Sequence, residues 1–256
     1  MKNRVALVTG AGRGIGRASA LALGREGARV AVTARSQDEL EDLAAAIEAG
    51  EGRALVLVDD LSDRAAPARI VNQVVQQWGP VEILVNNAGV GSSQNPKPLI
   101  EFDDEFWDLS LAVNLTAPYL FTKQVLPAMR DAGWGRIINI ASIAGKITAV
   151  DAAAYTASKH GVVGLTKATA KEMSAHGITA NAVCPGVVRS LMNDKRIEYD
   201  SQRLGVPFEE LEEQSTPLGR RLVPEEIASL VAYLARDEAC AINGQSINVC
   251  GGTIMH

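Results

Sequence analysis

The strongest constraint on the fold is a glycine-rich turn between an apolar run and a helical pattern near the start of the chain. The apolar run covers residues 4–9, and the turn that follows contains Gly10, Gly12, Arg13, Gly14, Ile15 and Gly16. Glycine permits a positive φ, and its missing Cβ lets the backbone approach a pyrophosphate beside a helix N-terminus. Strand, glycine turn and helix in this order predict a dinucleotide-binding turn, with a plain strand-to-helix turn as the alternative.

Apolar runs and helical periodicity alternate along the whole chain. Strands are predicted near residues 4–9, 28–34, 53–58, 81–85, 135–141, 178–184 and 245–249. Apolar side chains have helical spacing within residues 36–49, where Ser36 and Glu39 predict a capping box, and Pro224 is predicted to open a later helix. Apolar strands that alternate with helices form parallel sheets covered on both faces. We therefore expect an α/β fold over residues 1–256, a single-domain, doubly wound Rossmann sheet of about seven parallel strands.

Tyr155 and Lys159 lie four residues apart in a predicted helix over residues 152–175. Residues at this spacing share one helix face, so the phenol and the ammonium would lie side by side. The pKa of a free tyrosine is about 10. A lysine cation about 4 Å away would lower that pKa by roughly three units at an effective dielectric of 20. The pair predicts a tyrosine that works as a general acid and base, and an amphipathic helix that carries both by chance is the alternative.

Six motifs in a fixed order support the catalytic interpretation. They are Thr9-Gly10-x-x-x-Gly14-x-Gly16, Asn86-Asn87-Ala88-Gly89, Asn114 in Val-Asn-Leu-Thr, Ser142 in Ile-Ala-Ser, Tyr155-x-x-x-Lys159 and Pro185-Gly186. In these motifs the chain resembles the short-chain dehydrogenase/reductase family over nearly its full length. The resemblance implies an NAD(P)-dependent oxidoreductase that transfers a hydride between a nicotinamide cofactor and a ketone or secondary alcohol. Within the family the chain is similar to 3-oxoacyl reductases and to sugar or polyol dehydrogenases.

The resemblance also implies roles for individual residues. Tyr155 would exchange the proton, Lys159 would lower its pKa and bind the nicotinamide ribose, and Ser142 would hydrogen-bond the substrate oxygen. Asn114 would link Lys159 to solvent, although a buried structural amide is an equally open interpretation. The cofactor would contact the glycine turn, Tyr155 and Lys159, as well as Arg35, Asp60, Leu61, Asn87, Ala88, Gly89, Pro185, Gly186, Val188 and Ser190.

The choice of nicotinamide cofactor depends on the end of the second strand. NAD-binding turns place an acid about 20 residues after the glycines, where it accepts the ribose 2′-hydroxyl. Here that position holds Ala34, followed by Arg35. The missing carboxylate removes a repulsion, and Arg35 offers a charged partner for a 2′-phosphate. Arg13 could supply a second cation, and Asp38 is expected to point to solvent. NADP(H) is therefore preferred, and NAD(H) remains possible.

The polar residues 187–217, called here the lid segment, separate the sixth strand from the Pro224 helix. A long excursion at the carboxyl end of a strand is usually functional, and the resemblance implies that this one covers the substrate. Arg189, Arg196 and Arg203 could bind a substrate carboxylate, but solvation at the surface is favoured. The acidic run 209–213 predicts a solvated helix face.

Charge and composition exclude several classes of protein. The net charge of −5 does not indicate a basic surface that would bind nucleic acid or an anionic membrane. No apolar run is long enough to span a bilayer. The first strand begins near Arg4, so no signal peptide is expected. Cys184, Cys240 and Cys250 lack metal-type spacing and the histidines form no cluster, so we expect buried reduced thiols and no metal. A cytoplasmic protein follows from these features.

The closing residues 243–256 are apolar and rich in glycine. Left exposed on an edge strand, Ile247, Val249, Ile254 and Met255 would favour aggregation. Burial against a symmetry mate would prevent this, and the resemblance implies a homotetramer with twofold axes. The alternative is that these residues fold back onto their own core.

Three other functions are open at this stage. A catalytically silent NADP-sensing regulator would keep the fold, but such proteins typically lose the tyrosine or the lysine. A methyltransferase would want an acid at Ala34 and has no use for Tyr155 and Lys159. A 3-oxoacyl-(acyl-carrier-protein) reductase is disfavoured on charge, because Gly133 and His176 stand where such enzymes tend to have basic residues.

Overall fold

The computed structural model describes all residues from 1 to 256 and contains one sheet of seven strands in the order β3-β2-β1-β4-β5-β6-β7. All neighbouring pairs are parallel. The strands are β1 Val5–Thr9, β2 Arg29–Ala34, β3 Arg53–Val58, β4 Ile83–Asn86, β5 Gly135–Ile140, β6 Ile178–Pro185 and β7 Ser246–Val249. The order reverses between β1 and β4, and ligands of open α/β sheets bind at the carboxyl side of such a switch point.

The chain forms nine α-helices, and six of them cover the two faces of the sheet, which confirms the predicted Rossmann architecture. The nine helices are α1 Gly14–Arg25, α2 Gln37–Ala49, α3 Ala66–Trp78, α4 Asp104–Leu111, α5 Ala117–Ala132, α6 Ala153–Met173, α7 Leu191–Leu204, α8 Phe208–Glu213 and α9 Pro224–Leu234. Helices α1, α2 and α9 pack on one face, and α3, α5 and α6 on the other. The lid segment contains α7 and α8, so it is more helical than its polar sequence indicates.

Helix α2 shows how closely the local sequence determines local structure. Leu40, Leu43 and Ile47 are buried on one face, as their spacing predicts. Only half of the predicted capping box forms: Ser36 Oγ accepts from Glu39 N at 3.5 Å. The Glu39 carboxylate instead turns toward the glycine turn.

The cysteines are all free, as predicted, but their burial is not uniform. Cys184 and Cys250 are buried, whereas Cys240 is exposed. Cys240 directly follows a short 3₁₀ turn, Asp237–Ala239, at the surface between α9 and β7, so the expectation of three buried thiols was wrong for this one. None of the helices is both long enough and apolar enough to cross a membrane.

Candidate active site

The glycine turn after β1 is built for close approach of the backbone. Gly10 and Gly14 have φ of 61° and 54°, a region that favours glycine. A Cβ on Gly10 would lie 2.7 Å from Ala88 Cα, and one on Gly16 would lie 2.2 Å from the Gly10 carbonyl oxygen. Both positions therefore exclude any side chain. A Cβ on Gly14 would meet nothing nearer than Ser190 Cβ at 4.0 Å.

The turn is held against the end of β4 by Asn87 and Thr9. Asn87 Nδ2 donates to the Thr9 and Gly10 carbonyls at 2.9 and 3.0 Å. Thr9 Oγ1 accepts from the Asn87 and Ala88 backbone amides, both at 3.0 Å. The Asn87 side chain thus shapes the predicted cofactor site, a role that sequence reasoning did not assign to it.

The N-terminus of α1 is open to an anion. Arg13, at the N-cap, makes no capping hydrogen bond through its side chain, and the first turn of α1 contains no acid. The first backbone N–H groups of a helix have no partner within it and carry a partial positive charge. Together with the glycine cradle, this end of α1 fits the pyrophosphate of a dinucleotide.

The two arginines predicted to contact a 2′-phosphate, Arg35 and Arg13, differ in their ion pairing. Arg35 is exposed and has no ion-pair partner, and Asp38 is exposed as expected. Arg13 is also mostly exposed, but Glu39 lies 3.6 Å from its guanidinium. A Cβ on Gly12 would lie 2.5 Å from the Glu39 carboxylate. Glu39 is thus an acid beside the glycine turn that sequence reasoning treated only as a capping residue.

The remaining predicted cofactor residues lie at the carboxyl ends of β3, β4 and β6. Asp60 is exposed, and its carboxylate accepts from Ser62 N at 2.9 Å, while Leu61 is buried. Pro185 ends β6, and Gly186 N donates to the Val249 carbonyl at 3.0 Å. Val188 is buried and bridges to Leu222, and Ser190 caps α7. The structure therefore places the predicted set around one end of the sheet.

Ser142, Tyr155 and Lys159 converge where β5 meets α6. Ser142 follows β5, and its Oγ accepts from Ala144 N at 3.0 Å, which fixes a 3₁₀ turn. Tyr155 and Lys159 lie on the first turns of α6, with Lys159 Nζ 5.6 Å from the Tyr155 ring centroid. Lys159 is 4 % exposed and donates to the Ile140 carbonyl at 2.8 Å. The predicted cluster therefore forms.

The pKa of Tyr155 differs from the sequence expectation. Burial raises the pKa of this phenol above its usual value, while the neighbouring Ser142 hydroxyl acts in the opposite direction. Burial also lowers the pKa of Lys159 to about 8. In the protein without cofactor the surroundings of both groups disfavour their charged forms, so a Tyr155 pKa lowered by Lys159 stays a prediction.

Asn114 lies in a π-helical turn, Ala112–Thr116, between α4 and α5. Its Oδ1 accepts from Val90 N at 2.8 Å, and its Nδ2 donates to the Val90 carbonyl and to Ser158 Oγ at 3.0 and 3.1 Å. The side chain is buried and fully engaged, which favours the structural interpretation for the amide. π-Helical turns often occur at functional sites, and no sequence signal predicted this one.

The arginines of the lid segment are engaged in ion pairs. Arg189 lies 3.7 Å from Glu212, whereas Arg196 and Arg203 share Asp200 at 2.7 and 2.9 Å. Arg221, just beyond the segment, is buried and joins α7 to α8 by pairing with Asp194 and Glu212. None of the three predicted arginines is a free cation for a substrate carboxylate.

The lid segment contacts the segments of chain that follow β4 and β5. On one side, Ser93 Oγ donates to the Met192 carbonyl at 3.0 Å. On the other, Tyr199 donates to Asp151 at 2.5 Å, and Arg196 donates to the Val150 carbonyl at 3.1 Å. Residues 150 and 151 lie in the chain between Ser142 and Tyr155, so α7 is joined to the segment that carries these side chains.

Comparison with known proteins agrees with this geometry. The family model described as short chain dehydrogenase matches residues 4–200. A protein of Streptomyces coelicolor named "Putative ketoacyl reductase" is 44 % identical over 98 % of this chain and 97 % of its own. D-beta-hydroxybutyrate dehydrogenase of Cupriavidus necator is 36 % identical, with 99 % of each chain covered. A crystal structure of a variant of actinorhodin polyketide ketoreductase with NADPH superposes with a TM-score of 0.92 at 42 % identity, covering 98 % of each chain.

The chain belongs to the short-chain dehydrogenase family. Full-length similarity to reductases and dehydrogenases confirms the predicted class, an NAD(P)-dependent oxidoreductase that interconverts a ketone and a secondary alcohol. The family match also confirms the resemblance inferred from the six motifs.

Proposed function

We propose that the chain catalyses the NADPH-linked reduction of a ketone β to an acyl group, with Tyr155 as the proton donor. The observation that carries this proposal is the convergence of Ser142, Tyr155 and Lys159 beside the glycine cradle, at the switch point of the sheet. A bound nicotinamide would supply the hydride. The protein would hold the carbonyl oxygen and deliver the proton.

Tyr155 is protonated at neutral pH, as the reductive direction requires. A raised Tyr155 pKa keeps the phenol protonated at neutral pH, which is the form that donates to a carbonyl oxygen. Ser142 would donate a second hydrogen bond to the same oxygen and stabilise the negative charge that develops there. Below pH 8, Lys159 would remain an ammonium and hold the ribose hydroxyls of the cofactor.

NADP(H) is the proposed cofactor, with NAD(H) as the weaker alternative. Arg35 is exposed and has no acidic partner, and Ala34 puts no carboxylate at the end of β2 to repel a phosphate. Arg13 would be a second contact once it leaves Glu39. The similar polyketide ketoreductase was solved with NADPH, which supports the same choice here.

The proposed substrate is a neutral 3-oxoacyl ester or thioester. Two relatives, a ketoacyl reductase and a β-hydroxybutyrate dehydrogenase, are named for acyl compounds that carry oxygen on a carbon near the acyl group, which in the second is the β carbon. A free 3-oxo acid would need a cation, and each candidate arginine of the lid segment already has an acidic partner. A thioester needs no such partner. An acidic carrier protein remains disfavoured by the acids of α8.

Absorbance at 340 nm with NADPH tests the proposal. Acetoacetyl N-acetylcysteamine, acetoacetate and cyclohexanone would be compared at equal concentration, with Tyr155→Phe as the control. We expect kcat/KM to be at least about tenfold higher for the thioester than for the free acid, and turnover to fall by about 10² or more in Tyr155→Phe. Preference for acetoacetate would refute the neutral substrate. Tight NADPH binding with no turnover of any ketone would support the silent regulator instead.

A homotetramer and a cytoplasmic location also remain proposals. All four residues of the edge strand β7 are partly exposed, and Met255 is 88 % exposed. The tail is held in part by its own chain, since Lys146 Nζ donates to the Ser246 and His256 carbonyls at 2.7 and 2.9 Å. Light scattering would decide: a mass near 27.1 kDa refutes a tetramer. Deleting Thr253 to His256 should weaken assembly more than NADPH binding.

A further inference from the structure

Helix α6 rests on strand β5 through an interface that contains two polar contacts. Lys159 Nζ donates to the Ile140 carbonyl, and Asn139 Nδ2 donates to Thr166 Oγ1, both at 2.8 Å. The hydrophobic effect is non-directional, so the surrounding apolar contacts tolerate small displacements. A hydrogen bond weakens steeply when its distance or angle changes. These two contacts therefore fix how far α6 lies along β5.

The contact at Thr166 continues into a buried polar chain, defined here as Thr122, Asn86, Asn139 and Thr166. Asn86 Nδ2 donates to Asn139 Oδ1 at 2.8 Å and lies 3.5 Å from Thr122 Oγ1. All four residues are at most 3 % exposed. Buried polar networks favour one arrangement of the elements they join, because each unpaired member would cost free energy. This one joins β4 and α5 to β5 and α6.

The polar chain is placed where it can set the geometry of the catalytic cluster. Asn139 lies on β5 three residues before Ser142, and Thr166 lies on α6 eleven residues after Tyr155. At about 3.6 residues per turn, eleven residues are three turns, so Tyr155 and Thr166 share one helix face. Asn86 directly precedes Asn87, which shapes the glycine turn. A slip of α6 would carry Tyr155 away from both Ser142 and the cofactor cradle.

We propose that Asn139 and Thr166 are positioning residues for the reaction, acting through the placement of Tyr155. The inference rests on the proposed role of Tyr155 as proton donor. It predicts that loss of the Asn139–Thr166 hydrogen bond slows turnover while the glycine turn continues to bind the cofactor. Displacement of a reacting group by about 1 Å can cost on the order of 10²-fold in rate.

Thr169 supplies a matched control on the same helix. Thr169 Oγ1 donates to the Leu165 carbonyl at 2.9 Å, within α6 itself, and the residue is buried. Thr166 makes the same kind of bond to the Val162 carbonyl at 2.8 Å. Thr166→Val and Thr169→Val therefore remove equivalent intrahelical bonds, but only the first also removes a contact to β5.

The experiment measures kcat, KM, NADPH affinity and Tm for these variants. We expect Thr166→Val to lower kcat by about 10- to 100-fold with the NADPH Kd within about twofold. Thr166→Ser keeps the hydroxyl and should restore kcat to within about threefold of the natural chain. Thr169→Val should leave kcat unchanged. Equal losses in the two valine variants, or a Thr166→Val protein with full kcat, would overturn the proposal.

A second variant guards against simple misfolding. In Thr166→Val the Asn139 amide is left buried without this acceptor, and Asn139→Leu with Thr166→Val also leaves Asn86 Nδ2 without its acceptor, so the double variant should be less stable still. The double variant should lose Tm without losing more kcat than Thr166→Val; a kcat that falls further in step with Tm would contradict positioning. Tyr155→Phe separates the two claims. If Tyr155→Phe is active, the proposed function fails. If it is inactive while Thr166→Val has full kcat, only the positioning role fails.

Discussion

Helix α6 and the lid segment both border the candidate site but are held in opposite ways. Helix α6 buries eight residues, whereas α7 buries one and α8 none. The lid segment depends on charge instead, mainly on Arg221 with Asp194 and Glu212 and on Arg196 with Asp200. Regions with few buried apolar contacts open locally at low cost in free energy. We therefore assign the chemistry to the rigid side and substrate admission to the side held by ion pairs.

The largest effect is expected at Lys159, on the rigid side. Lys159→Met should lower turnover by about 10² or more, because the ammonium that supports Tyr155 and the cofactor is lost. The same change should stabilise the protein without cofactor at pH 7 by about 1–3 kcal/mol, because it removes a buried charge. Thermal unfolding and turnover measured together would check this. A variant that is both inactive and less stable would contradict it.

The pH dependence of stability provides a control for the lysine prediction. Lys159 has a pKa of about 8 in the folded protein, against 10.5 in an unperturbed lysine. Between these values the unfolded chain binds more protons at this site, so its contribution to stability rises with pH. The natural chain should show this rise above pH 8. Lys159→Met should show less of it.

The second effect is cofactor choice, which we expect to depend on the end of β2 and not on the lid segment. Ala34→Asp with Arg35→Ile should reverse the preference for NADPH over NADH, by about 10- to 100-fold in kcat/KM. The new carboxylate would accept the 2′-hydroxyl and repel the phosphate. The preference is measured with one ketone and both cofactors. A natural chain that uses NADH equally well would show that Arg35 does not reach the ribose.

The third effect lies in the lid segment, at the contact between Tyr199 and Asp151. Tyr199→Phe removes the hydroxyl that joins α7 to the loop before α6. We expect KM for the ketone to rise by about three- to tenfold, with kcat within about twofold. Tyr233→Phe is the matched control, since Tyr233 is 40 % exposed on α9. A fall in kcat with unchanged KM would show that Tyr199 contributes to the chemical step and not to substrate binding.

The smallest effect should come from Glu39. Glu39→Gln releases Arg13 from its 3.6 Å ion pair and removes an acid beside the glycine turn. Exposed ion pairs contribute about 0–1 kcal/mol, so the NADPH KM should fall by no more than about fivefold. Asp42→Asn, which breaks the pair with Arg17 on the outer side of α1 and α2, should leave it unchanged. A higher NADPH KM in Glu39→Gln would show that Glu39 supports the cofactor site.

The sequence predicted the glycine turn, the sheet and the Tyr155–Lys159 pair well because the signals for these features are local. The glycine turn, the spacing of Tyr155 and Lys159 and the alternating strands each depend on nearby residues, and the sheet forms as they indicate. The Tyr155 pKa and the Asn139–Thr166 contact depend on burial and on residues far apart in the chain. The same holds for the lid segment, where the partners of each arginine appear only when α7 and α8 pack together.

Our central claim is that α6 carries the chemistry and that the lid segment controls substrate binding. The most direct test compares Tyr155→Phe with Arg221→Met in single-turnover reduction of the preferred ketone by NADPH. We expect Tyr155→Phe to slow hydride transfer by about 10² or more at an unchanged substrate Kd. Arg221→Met should raise the substrate Kd by about tenfold and leave the rate at saturation within about threefold. A saturated Arg221→Met enzyme as slow as Tyr155→Phe would contradict the account.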